Sequence, residues 1–82
     1  MADENEDRVL VMVKRIVANE LGIRPEDVTA ELGLYLHPDW DSIAHAGILV
    51  HLEEEGGLIL TDQIADEITT VEQLINRLRA SP

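Results

Sequence analysis

Five side chains able to do chemistry fall within nine residues of this 82-residue chain: His37, Asp39, Asp41, Ser42 and His45, in the stretch HPDWDSIAHAGILVHLEEE, with His51 close behind. Three kinds of chemistry can be asked of them. As metal ligands they are badly spaced. Asp41 and His45 share a helix face, but His45 and His51 are six apart and point differently. Asp39-Trp40-Asp41 opens like a calcium loop, yet Ile43 and Ala44 stand where that loop needs an oxygen ligand and a glycine. No metal site is expected, and the histidines are expected to lie exposed on a polar face. As a nucleophile, Ser42 lacks the flanking glycines of a strand-to-helix elbow, and no strand scaffold orients His37 or His45 as its base. A short helical chain also offers little room for a water-excluding pocket. No catalytic residue is expected, and the chain is not read as an enzyme.

The third possibility is positional. Ser42 stands where a loop turns into a helix. Either Asp41 or Ser42 can cap that helix by accepting from its first free amides, a contribution of about 1 kcal/mol. The same spot tolerates an attached phosphate, because the free amides and the helix dipole favour negative charge. Cap and phosphate carrier therefore predict one location, and the surrounding pattern has to separate them.

The elements around it are helical. From about Asp3 to Leu21, Val9, Met12, Val13, Ile16, Val17 and Leu21 recur at spacings of three and four, one apolar stripe. Acids at the start and Lys14 and Arg15 further along suit the dipole, and Gly22 is placed to stop the helix. Pro25 opens a short turn in RPEDV. Thr29–Asp41 is a long connection, whose Leu32, Leu34, Tyr35 and Leu36 are expected to tie it onto a core. Ser42–Glu55 forms the second main helix. Ile48, Leu49 and Leu52 make its inward face, while Ile43, Ala46 and Val50 gather on a different side and cannot all be buried with them. Gly56-Gly57 ends it. A short turn spans Asp62–Glu67, and the last helix starts at Thr69 or Thr70, where Thr70-Val71-Glu72-Gln73 fits a capping box. Its inner face is Val71, Leu74, Ile75 and Leu78. The fold class is all-α, a small four-helix bundle of three main helices and one short one, with a long first connection. Residues 1–82 are read as a single domain, and a monomer is expected.

Composition narrows the partners. Six basic residues face seventeen acidic ones, a formal net charge of −11, and between Pro25 and Asn76 there are twelve acidic residues and no Lys or Arg. Such a field repels phosphate backbones and anionic lipid, so neither nucleic acid nor a membrane surface is an expected partner. It favours fast, salt-sensitive encounters with proteins that carry basic patches. There is no cysteine, the N-terminal MADENEDR is acidic where a signal peptide is basic, and the early apolar run Val9–Val13 is too short to span a bilayer. A cytoplasmic protein is expected.

Asp41-Ser42-Ile43, followed by Leu52-Glu53-Glu54-Glu55 and then ILTDQIADEITTVEQLI, resembles the acyl carrier protein family. That family's motif is Asp-Ser-Leu at the head of a helix ending in a Leu-Glu-Glu-Glu-like run. The likeness covers nearly the whole chain. The first helix, LGIRPEDVT, the Asp-Ser helix and ITTV fall in the family's order and spacing.

The resemblance implies a four-helix carrier without catalysis of its own. Ser42 would receive 4′-phosphopantetheine covalently from coenzyme A through a magnesium-dependent phosphopantetheinyl transferase. The arm's thiol would hold an acyl group as a thioester, passed among acyl-loading and acyl-transferring enzymes that dock on the Ser42 helix. Ile43, Ala46 and Val50 would be the apolar contact track, Asp41, Glu53 and Glu54 the acids that meet basic partners, and Gly47 a point of close backbone approach. An aminoacyl or peptidyl carrier and an unmodified interaction module of the same fold are the alternatives. Three departures stand out. Ala44-His45-Ala46-Gly47 replaces the acids and larger apolar residue usual in fatty-acid carriers. Gly56 stands where an aromatic residue commonly follows the Glu run, and His37-Pro38-Asp39-Trp40 replaces a glycine-containing loop. They favour a dedicated carrier of a specialised lipid or polyketide-type pathway. Trp40 either packs against the core or borders the arm.

Overall fold

The computed structural model describes residues 4–80, with side chains from Arg8 onward. Asp3, where the sequence starts the first helix, and the acidic side chains of Glu4, Glu6 and Asp7 lie outside that description. Helix α1 covers Glu4–Leu21, α2 Ser42–Gly56, α3 Asp62–Glu67 and α4 Val71–Ala80, with a 3-10 turn at Pro25–Asp27. The all-α bundle expected from the sequence is what forms.

Helix α1 packs against both α2 and α4, and the core lies where the three meet. Val13, Ile16, Val17 and Leu21 of α1 are buried there against Ile48, Leu49 and Leu52 of α2 and Val71, Leu74, Ile75 and Leu78 of α4. Helix α1 ends as its sequence requires. Gly22 takes φ 71°, a left-handed value that a side chain would strain, and the Ile23 amide returns to the Ala18 carbonyl at 3.1 Å.

The long connection is tied down by backbone hydrogen bonds as well as by some of its apolar side chains. Glu72 N–H donates to the Ala30 carbonyl, Val71 N–H to Leu32 and Leu34 N–H to Thr69, at 3.1, 2.8 and 2.8 Å. Gly33 sits inside this clip, opposite Thr70, and a Cβ there would come within 2.5 Å of the Thr69 carbonyl oxygen. Only glycine fits so close an approach. Leu32 and Leu34 pack on the core as expected. Tyr35 and Leu36 do not: they are 71% and 64% exposed. The reason is local geometry. Tyr35 takes φ 65°, with its amide bonded to the Trp40 carbonyl at 2.8 Å, and this turns the two side chains outward.

The start of α4 is fully satisfied. Besides the two loop carbonyls, Thr70 Oγ1 accepts from Gln73 N, and Gln73 Oε1 accepts from the amides of Thr69 and Thr70. This is the capping box read from the sequence.

Candidate functional site

Helix α2 begins differently. Asp41 is its cap: the residue is extended (φ −96°, ψ −174°), and its Oδ1 accepts from Ala44 N at 2.9 Å. Its carbonyl accepts the first intrahelical bond, from His45 N. Ser42 is therefore the first helical residue, and its exposed hydroxyl does no capping. Among the described residues, no hydrogen bond engages the Ser42 hydroxyl or the amides of Ser42 and Ile43. A free primary hydroxyl thus stands beside two free N–H donors at the positive end of a helix. That donor set fits a phosphodiester on Ser42 Oγ.

Along α2 the two apolar sets separate as the periodicity predicts. Ile48, Leu49 and Leu52 are buried, whereas Ile43 is 82% exposed and Val50 and Ala46 also face solvent. Of the three glutamates that close the helix, Glu55 pairs with Arg15 of α1 at 2.6 Å, an exposed ion pair worth little to stability. Glu53 and Glu54 remain in solvent, with no partner among the described residues. Asp41 is exposed too, so the open side of α2 carries acids at both ends and apolar residues between them.

Two expectations need correction, and one that the sequence left open is decided. Gly47 is only partly open to solvent. A Cβ there would lie 3.0 Å from Cδ and both carboxylate oxygens of Glu20, which reaches across from α1. The helical wheel places Gly47 beside Ile43 and Val50, but a wheel carries no information about the neighbouring helix. The end of the Glu20 side chain thus lies over Gly47. The histidines, secondly, do not share a polar face. His37 Nδ1 accepts from the Asp39 amide at 3.1 Å, and His51 lies half-exposed with Nε2 3.9 Å from Glu20. His45 is buried, 6% exposed, with its Nδ1 accepting from Trp40 Nε1 at 2.9 Å. Burial pushes its pKa down from the ordinary 6.5, outweighing the backbone carbonyls of Ile68 and Ala65, which act the other way. Trp40, finally, packs in the core and is fully buried. The hydrogen-bond partner of His45 is that indole, with the backbone of Ala65 and Ile68 also beside the ring, neighbours that a reading of α2 alone could not supply.

A groove of about 520 Å³ lined by Arg8, Val11, Met12, Arg15 and Glu55 lies near the other end of α2, roughly 20 Å along the helix from Ser42 by its 1.5 Å rise per residue. It does not serve the hydroxyl. Among the described residues no helix is long and apolar enough to cross a membrane.

Residues 12–78 match the family model PP-binding, described as the phosphopantetheine attachment site. The match runs from α1 through α4 and so takes in the whole site. The group that such a domain carries is 4′-phosphopantetheine, bound covalently.

Proposed function

The chain belongs to the phosphopantetheine attachment family, and from that premise we propose that Ser42 is the residue that carries the arm and that the cargo is an acyl group. One observation carries the assignment of Ser42: Asp41 takes the cap, which leaves an exposed hydroxyl at the head of α2 with no structural task. Modification replaces the hydroxyl hydrogen by a phosphodiester, whose charge the Ser42 and Ile43 amides and the helix dipole favour. Once attached, the arm supplies a thiol on which an acyl group is held as a thioester. The chain's own work is to present that attachment point and to be recognised. Carrier domains of this family generally work with a phosphopantetheinyl transferase and with biosynthetic enzymes, and are not themselves catalysts.

Recognition falls to the open side of α2. Ile43, Ala46 and Val50 offer apolar contact, and Asp41, Glu53 and Glu54 attract enzymes with basic patches around their docking sites. The acidity of the whole chain favours an acyl over an aminoacyl or peptidyl carrier. The residues at 44–47, 56 and 37–40 favour a dedicated, specialised lipid or polyketide-type pathway, with the protein acting as a cytoplasmic monomer.

The test is incubation with coenzyme A, magnesium and a broad-specificity transferase, followed by mass spectrometry of the intact protein and its peptides. One phosphopantetheine on Ser42 is expected. Modification at Ser81, which lies outside the described residues, or none with several transferases, refutes the assignment.

A further inference from the structure

The residues on either side of the Asp41-Ser42-Ile43 triplet are joined across it. Trp40 ends the loop and His45 lies in the first turn of α2. Between them Trp40 Nε1–H donates to His45 Nδ1 at 2.9 Å, both side chains being almost wholly buried. The rings stand 5.9 Å apart at a 34° tilt. An indole nitrogen can only donate, so Nδ1 must be the bare nitrogen and the proton must sit on Nε2. That second nitrogen is buried and meets no partner at hydrogen-bonding geometry among the described residues. The ring's other polar neighbours are the backbone carbonyls of Ala65, within α3, and Ile68, which caps it. His45 thus touches the junction before Ser42, the helix that begins at Ser42 and the end of α3. Neither the cap nor the core requires a polar ring at this place.

We propose that Trp40 and His45 form a clamp, dependent on a neutral imidazole, that fixes the loop-to-helix junction and so holds Ser42 Oγ in the orientation in which it is modified. They are positioning residues, since neither ring touches the hydroxyl. The inference rests on Ser42 being the attachment site. Protonation would place an Nδ1–H against the indole N–H, two donors facing each other, and the bond would be lost. The charged side chains that immediately precede the ring in the chain are Asp39 and Asp41, those on α3 are Asp62, Asp66 and Glu67, and Glu53, Glu54 and Glu55 lie at the far end of α2. All are exposed, and none of them offsets the cost of charging a ring that is held by burial in its neutral form.

The experiment compares phosphopantetheine transfer to wild type, Trp40→Phe and His45→Asn by one transferase, with Ser42→Ala as control, from about pH 8 down through the pH at which NMR shows His45 of the folded wild type to take up its proton. Trp40→Phe keeps the aromatic bulk and removes only the donor. At the alkaline end its kcat is expected to fall roughly two- to tenfold, the size of one neutral hydrogen bond, with KM little changed. Taking the ratio of wild type to variant cancels the transferase's own pH dependence. That ratio should shrink toward one as the pH falls, because acid has already opened the clamp in the wild type. His45→Asn keeps an acceptor that does not titrate, so its rate relative to Trp40→Phe should not vary with pH. A wild type modified on Ser42 with a ratio of one, or a constant ratio, at every pH overturns the clamp alone. A wild type that accepts no arm, like Ser42→Ala, overturns the attachment reading and the clamp with it. Should Trp40→Phe fail to fold, NMR of the wild type decides. A Ser42 amide that titrates with the same midpoint as His45 supports the clamp, and one that ignores His45 overturns it.

Discussion

Helices α2 and α4 both start after a residue whose side-chain oxygen accepts from a first-turn amide, yet they use their hydroxyls in opposite ways. At α4 every early amide is answered: Val71 and Glu72 by carbonyls of the long connection, Gln73 by Thr70 Oγ1. The Thr70 hydroxyl is consumed in holding the helix. At α2 a carboxylate does that work, and Ser42 is left with a free hydroxyl and two free amides beside it. Their flanks differ in the same sense. Beyond its buried stripe α4 shows Glu72, Gln73, Asn76, Arg77 and Arg79, the polar outer face that a structural helix needs. Helix α2 buries an equivalent stripe and still leaves Ile43 and Val50 in water. Unspent hydrogen-bonding capacity and unburied apolar area on one helix mark the part of the molecule meant for something else.

The largest effect that can test this contrast is a pair of substitutions. Ser42→Ala should abolish modification with almost no change in thermal stability, because it removes no cap. Thr70→Ala should leave modification intact and cost about 1 kcal/mol, read by urea denaturation. Equal stability losses would mean that the two hydroxyls are structurally alike. The two faces of α2 separate in a similar way. Leu52→Ala should destabilise by about 2–5 kcal/mol, whereas Ile43→Ala should stay within about 0.5 kcal/mol and raise KM for the transferase. An Ile43→Ala protein that binds its partners unchanged removes the apolar track from the docking face.

Charge comes next. Reversing Glu53 and Glu54 to Lys should slow modification and flatten its dependence on added salt, with circular dichroism unchanged. Rates indifferent to both would leave these acids a role in solubility alone. Smaller again is the proton linkage of His45. Its folded pKa lies below the ordinary 6.5, so as pH falls through 6.5 the unfolded chain takes up a proton that the folded chain refuses. Stability should therefore fall between 6.5 and the lower folded value, while above 6.5 the imidazole contributes no pH dependence. Denaturation curves for wild type and His45→Asn over that interval should diverge, the variant losing less.

The smallest effect concerns Gly47. Alanine gains about 0.5–1 kcal/mol of helix propensity, and the nearest atoms its Cβ meets are the movable end of Glu20. A slightly higher melting temperature with unchanged transfer is expected. Slower transfer would return Gly47 to the docking face.

Much of this molecule was legible in the sequence, because much of it is set by short-range rules. Apolar spacing marks α1 and the inner face of α4, Gly22 and Pro25 punctuate the first turn, and Thr70 and Gln73 spell out their own box within one turn of chain. The surplus face of α2 could also be read there, since Ile43 and Val50 cannot share a buried stripe with Ile48 and Leu52 whatever the neighbours are. Tertiary structure decided the rest. Either Asp41 or Ser42 can cap a helix, and only the backbone's entry angle chose Asp41. Gly33 needs to be glycine because Thr69, thirty-six residues later, passes within reach of it. Gly47 lies under the end of Glu20, Tyr35 and Leu36 turn outward on a left-handed residue, and the buried His45 bonds to an indole from the preceding loop. In each case the outcome depends on what lies across a gap in space. Local periodicity places a side chain on a face, and only the packed neighbours determine whether that face is open, covered or hydrogen-bonded.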